Sequence, residues 1–194
     1  MADVRVERLR GADLEAVLAQ VAQLRIEVFR DWPYLYDGSE DYEAEYLKAY
    51  TRPGAVCVAV WQGGQMVGAS TGAPMVQHAD DFATAIPDDW PAKETFYCAE
   101  SVLLPAYRGR GLGHVFFEER EAQARELGLR RSVFASVVRP ETHPMRPDHP
   151  RPLDPFWRGR GYAPLDGCVA RFSWTDVGDD TETEKPLQMW GRML

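Results

Sequence analysis

The stretch Arg108-Gly109-Arg110-Gly111-Leu112-Gly113 holds the residue types and spacing that speak most directly of chemistry in this 194-residue chain. Three glycines alternate with other residues just where an apolar strand gives way to a helix, so backbone N–H groups stay uncovered beside the positive end of a helix dipole. That combination favours an anion, and a phosphate above all. The common phosphate motifs do not match: no Gly-Lys-Ser/Thr occurs, and His114 stands where a dinucleotide fingerprint needs its third glycine. Upstream, Glu100 is the one acid in the apolar strand Phe96 to Leu104. A charge in such a run is costly unless exposed or paired, which points to a cleft.

Arg108 to Gly113 fits Arg/Gln-x-x-Gly-x-Gly/Ala, preceded by a strand ending in Leu-Pro-x-Tyr, and over Val102 to Gly113 it resembles the acetyl-CoA-binding motif of the GNAT superfamily of N-acetyltransferases. The resemblance implies that the amides of Arg108, Gly109, Arg110, Gly111, Leu112 and Gly113 cradle the CoA pyrophosphate, with His114 and the two arginine side chains as neighbours. It implies that the main chain of Val102, Leu103 or Leu104 polarises the thioester carbonyl and pairs with the pantetheine arm. Glu100 takes the place of the strand-four glutamate that many members use as general base; a structural ion pair with an arginine is the alternative. Asp31, Tyr34 and Tyr36 fall in the connection that overhangs the acceptor site, where the tyrosines either meet substrate or pin the loop. His143 is placed on the acceptor side and Phe156 beside the cofactor. At the helix before Gly161-Tyr162 the family's tyrosine, a thiolate proton donor, is replaced by Trp157, whose indole N–H has no useful acidity.

Periodicity supplies the scaffold for these groups. Val4 to Leu9 is a first strand, and Leu14, Val17, Leu18, Val21, Leu24 and Val28 predict one amphipathic helix from Asp13 to about Phe29. Arg30 to Gly38 breaks it, and Ser39 caps an acidic helix to about Tyr50. Ala55 to Trp61 and Met66 to Met75 form a hairpin around Gly63-Gly64, and His78 to Pro91 is a connection. Then come a strand from Thr95 to Leu104, a helix from Gly111 to Leu127 stopped by Gly128, and a strand from Ser132 to Val138. Five prolines bar regular structure from Arg139 to Pro152. A short helix at Asp154 to Gly159, a strand at Cys168 to Trp174, an exposed acidic loop at Asp176 to Glu184 and a last strand at Leu187 to Arg192 complete the chain.

One α/β domain over residues 1–194 is expected, a central mixed, mostly antiparallel sheet of about seven strands flanked by helices; the resemblance adds that strands four and five splay apart to admit the cofactor. Composition supports a soluble protein. Its 45% hydrophobic content fills a core, no apolar run approaches the roughly 20 residues of a membrane span, and the first residues lack a signal-peptide core, so a cytoplasmic place is expected. Cys57, Cys98 and Cys168 are expected as buried, reduced thiols. His143 and His149 sit at no zinc spacing, so no metal is expected. The net charge of −8 argues against nucleic acid and favours cationic partners.

The sequence therefore points to transfer of an acetyl group from acetyl-CoA to a primary amine, small-molecule or peptide, by direct attack in a ternary complex. A CoA-binding sensor without turnover and an acyltransferase for longer chains are the alternatives, and a monomer and a homodimer are both open.

Overall fold

The computed structural model describes residues 4–78, 82 and 85–194. The His78 to Pro91 connection lies partly outside them. In chain order the elements are β1 (Arg5–Leu9), α1 (Gly11–Glu15), α2 (Leu18–Phe29), α3 (Glu40–Leu47), β2 (Val56–Gln62), β3 (Gln65–Pro74), β4 (Thr95–Leu103), α4 (Leu112–Glu126), β5 (Arg131–Val137), α5 (Asp154–Gly159), β6 (Ala163–Thr175) and β7 (Glu182–Met193). The strands form one seven-stranded sheet in the order β1-β2-β3-β4-β5-β7-β6. Every pairing is antiparallel except that of β4 with β5.

Two expectations need correction. The single helix from Asp13 is two. The amide of Val17 closes a short turn on the Leu14 carbonyl, and α2 starts afresh with Gln20 and Val21 both donating to the Val17 carbonyl. The first of them starts before Asp13, since α1 begins at Gly11 after an extended Arg10. The acidic loop is also shorter than its composition suggests, because Thr175 pairs with Glu182 and Ser173 with Glu184, carrying β7 through polar residues that face water. Ser39, by contrast, caps α3 as expected, its Oγ accepting from the Tyr42 amide at 3.3 Å. That helix ends at Leu47, and a 3-10 turn continues over Lys48–Thr51.

Both faces of the sheet are covered, with a core on each. On one face α1, α2 and α3 bury Leu14, Val21, Leu24 and Leu47 against inward residues of the central strands, Tyr97 and Val102 of β4 among them. On the other, α4 and the segment after α5 bring Phe117, Ala124 and Tyr162 against Phe96, Cys98, Phe134 and Trp190, while Phe116 packs on Val58 and Val60. The three cysteines are buried and unpaired.

Two irregularities set β4 apart from its neighbours. It pairs with β5 only at Thr95↔Arg131, Phe96↔Ser132 and Tyr97↔Val133, after which the two strands part. On its other edge the register steps from Gly72↔Cys98 to Ser70↔Ser101, so β3 advances two residues while β4 advances three, a bulge at Ala99-Glu100.

Candidate active site

The anion turn has the geometry its glycines predict. Gly109 and Gly111 adopt φ of 76° and 80°, a left-handed conformation that costs other residues about 1–2 kcal/mol. Nothing lies within 4 Å of where their Cβ atoms would be, so backbone conformation and not space calls for glycine there. The amides of Tyr107, Arg108, His114 and Val115 close turns on neighbouring carbonyls. Among the described residues, those of Gly109, Arg110, Gly111, Leu112 and Gly113 find no acceptor. They sit at the head of the 15-residue α4, an arrangement that fits a pyrophosphate. The arginines turn aside: Arg108 Nε donates to the Leu103 carbonyl at 3.0 Å, and Arg110 donates to the Ala106 carbonyl at 2.8 Å while lying over the Tyr107 ring. Phe156 closes the other flank, since a Cβ on Gly113 would lie 3.3 Å from its Cζ. His114 meets the Phe156 ring edge-on at 4.9 Å and has Arg160 Nη1 3.2 Å from its Nδ1. Trp157 packs between Phe134 and Trp190.

Where β4 leaves β5, one edge of β4 is open. The Leu104 amide donates to the Val67 carbonyl at 3.0 Å, so by antiparallel alternation the N–H groups of Val102 and Leu104 face β3. The N–H of Leu103 faces the opening. Of the three residues expected to polarise a carbonyl, Leu103 alone presents its amide there.

Glu100 is 5% exposed. Straight alternation after Cys98 would turn it to the α4 face; the bulge swings it, with Val102, to the α2 face. There Arg25 of α2 places Nη1 2.8 Å from Glu100 Oε2, and its Nε bonds Glu43 Oε2. The Arg25–Glu100 contact is an ion pair off the hydrogen-bond axis, and neither Glu100 oxygen has a hydrogen-bond donor. Burial works against the Arg25 cation, but Glu100, Tyr46 and Glu43 outweigh it and hold its pKa well above the usual value. Its guanidinium also lies 4.3 Å from the Tyr46 ring centre and 5.1 Å from that of Phe29. The partner left open by the sequence is thus Arg25.

The overhanging loop is tied down. Arg139 donates to the carbonyls of Pro33 and Tyr34 and makes a bidentate pair with Asp176, while Trp174 Nε1 donates to the Tyr34 carbonyl at 3.1 Å. Tyr34 stacks on Phe29 at 4.1 Å, and burial pushes its hydroxyl up to a pKa of about 12. Tyr36 is buried, forms an isolated bridge with Asp176, and is pushed up by burial and then by Glu43. Asp31 is exposed, and its carbonyl accepts the Leu35 amide. His143 meets the Trp32 ring at 5.4 Å and accepts the Met145 amide. The structure so brings Tyr34 and Tyr36 to the Arg25–Glu43 side and His143 to the outer loop; no contact joins His143 to Glu100. Beside the loop a hollow of about 210 Å³ is walled by Tyr36, Asp37, Tyr42, Trp174 and Glu182.

Sequence reasoning passed over Arg25, Glu43, Arg120, Arg139 and Asp176. The signal was there for three of them: Arg25 falls on the apolar stripe with Val21, Glu43 four residues before Leu47, and Arg120 between Phe116 and Ala124. A charge on a core-facing stripe asks for a partner. Nothing local marks Arg139 or Asp176. Among the described residues no group of His, Cys, Asp or Glu is arranged to hold a metal ion, and no helix is long and apolar enough to cross a membrane.

Comparison with known proteins agrees with this fold. Solved structures similar in fold include a ribosomal-protein-alanine N-acetyltransferase from Brucella melitensis, at 15% identity over 98% of this chain and 99% of that one with a TM-score of 0.58. An N-acetyltransferase from Staphylococcus aureus Mu50 matches at 13% identity over 99% of each chain with a TM-score of 0.58. An aminoglycoside 6'-N-acetyltransferase complexed with coenzyme A matches at 14% over 97% of this chain and 96% of that one with a TM-score of 0.62. A search of curated protein sequences finds no match. The sequence model of the acetyltransferase (GNAT) family matches residues 21–149, more than half of the chain, from within α2 through the glycine turn and into the proline-rich loop. This protein is an acyltransferase that belongs to the GNAT family of acetyltransferases.

Proposed function

We propose that the protein is an N-acetyltransferase that moves an acetyl group from acetyl-CoA to a primary amine, with both substrates bound together. The observation that carries this reading is the parting of β4 from β5 directly beside five amides without acceptors at the head of α4. Acetyl-CoA supplies the activated thioester; the protein's residues do the rest. The amides of Gly109 to Gly113 hold the pyrophosphate, and Phe156 walls it. The open N–H of Leu103 faces the carbonyl oxygen as negative charge develops on it. An amine at neutral pH carries a proton that must leave before its nitrogen can attack, and Glu100, buried and without hydrogen-bond donors, accepts it directly or through water. Nitrogen then forms the new bond to the carbonyl carbon, and the carbon–sulfur bond breaks with its electron pair going to sulfur. The acylated nitrogen sheds its second proton, which reaches the sulfur through water, because Trp157, packed among aromatic rings, supplies none.

The acceptor is a cationic amine, free or on a peptide. Two buried carboxylates, Glu43 and Glu100, face the one guanidinium of Arg25, and the outer hollow carries Asp37 and Glu182 among aromatic rings. Buried, unpaired thiols fit a reducing, cytoplasmic setting.

The test is incubation with acetyl-CoA and a panel of primary amines, following free thiol. Release that depends on amine and is lost in Glu100→Gln supports the reading. CoA binding without release across the panel would leave a CoA-binding sensor, and release only from longer acyl-CoA thioesters an acyltransferase of wider reach.

A further inference from the structure

Two buried arginines, from helices on opposite faces of the sheet, converge on Glu100. From one face Arg25 holds its carboxylate, with Glu43 anchoring the far side of the guanidinium. From the other, Arg120 of α4, 1% exposed, donates from Nη1 to the Glu100 carbonyl at 3.1 Å and to the Thr71 carbonyl at 3.2 Å, and from Nε to the Phe116 carbonyl at 3.2 Å. Thr71 is the β3 residue skipped where β4 bulges. A bulge disrupts the ladder and frees main-chain groups for other partners, and an unpaired buried carbonyl costs about 1–3 kcal/mol. Arg120 meets two such carbonyls at once. Ser70 Oγ also donates to the Glu100 carbonyl at 2.9 Å. All three Arg120 bonds go to carbonyl oxygens, two at the bulge and one on α4 itself, so the Nη1 end of this guanidinium serves the backbone at the bulge.

We infer that Arg25 and Arg120 are positioning residues that clamp Glu100 from both faces: Arg120 holds the bulge that turns the side chain to the α2 face, and Arg25 fixes the carboxylate once it is there. Because Arg120 sits on the helix whose N-terminus carries the anion turn, the clamp also ties the base to the cofactor site through one rigid element. Neither arginine touches the reacting atoms. The inference rests on the reading of Glu100 as base.

A double-mutant cycle tests it, with acetyl-CoA and the amine that gives the fastest thiol release by the unaltered protein. Arg25→Met and Arg120→Met are made alone and together with Glu100→Gln, and kcat, KM for acetyl-CoA and CoA affinity are measured on folded protein. A misplaced base costs about a hundredfold in rate, so each single variant should lose about that factor in kcat with KM for acetyl-CoA nearly unchanged. In the Glu100→Gln background neither should lose more, because a residue that acts only through Glu100 has nothing left to position. An equal further loss in that background, or unaltered kcat in a folded single variant, overturns the clamp. If a methionine variant fails to fold, Arg25→Lys and Arg120→Lys keep the charge but not the fork; intermediate kcat confined to the Glu100 background supports the clamp, and unaltered kcat overturns it. Wild-type kcat in Glu100→Gln alone would remove the base assignment and the clamp with it, whereas loss in Glu100→Gln with none in the arginine variants removes the clamp only.

Discussion

Arg25 Nη1 lies 2.8 Å from Glu100 Oε2, and the same guanidinium bonds Glu43 through Nε, so one buried cation joins α2, α3 and β4. Glu43→Leu leaves Arg25 paired with Glu100 but strands its buried Nε donor, so it should lower the free energy of unfolding by about 1–3 kcal/mol, read from the urea midpoint. A loss below about 0.5 kcal/mol, typical of an exposed pair, would show that Glu43 does not bear on Arg25.

The left-handed turn makes a graded prediction. Gly111→Ala meets no neighbour but must adopt a φ of 80°, so stability should fall by about 1 kcal/mol while CoA still binds. Gly111→Glu adds bulk and negative charge beside the free amides, and CoA affinity should fall at least about tenfold by calorimetric titration. Unchanged affinity in Gly111→Glu would displace the pyrophosphate from this turn.

Asp176 gives a pH dependence with a fixed sign. Burial raises its pKa, but bonds to Arg139 and then Lys185 outweigh burial and hold it below the ordinary 3.8. A depressed folded pKa contributes stability that is present above 3.8 and lost as pH falls through the folded value. Thermal unfolding followed from neutral pH downward should show Asp176→Asn already destabilised at pH 7 and the gap to wild type closing in acid. A gap that stays constant with pH would mean that the ion pair contributes nothing beyond hydrogen bonding.

Tyr34 titrates at the other extreme. Burial lifts its hydroxyl to about 12 from 10, so its share of stability is full below pH 10 and lost as pH rises toward 12. Comparing phenolate absorbance of wild type with Tyr34→Phe should show that this residue stays un-ionised until pH exceeds about 11. Ionisation near pH 10 would place the ring in contact with water.

Most of the sheet, the helices around it and the left-handed glycine turn were legible because each depends on short-range rules. Gly109 and Gly111 are needed for their own φ values, Ser39 for the amide three residues on, and the hairpin at Gly63-Gly64 for its turn. The break between α1 and α2 was not legible, because the apolar spacing from Leu14 to Val28 is continuous across it. The polar start of β7 escaped for the opposite reason: Glu182 and Glu184 are held in the strand by pairing with β6, which no local propensity reveals.

Residue order alone dictates which residues leave amides uncovered at the head of α4, and that an acid stands alone in the strand before them. Where that acid points is settled by tertiary contacts. In a strand one extra residue reverses every later side chain; the bulge that holds one in β4 meets a carbonyl-binding arginine twenty positions downstream on α4, and the carboxylate it turns meets an arginine on α2. Those contacts cross the sheet from both faces, and they exist only once the sheet and its two helix layers have come together.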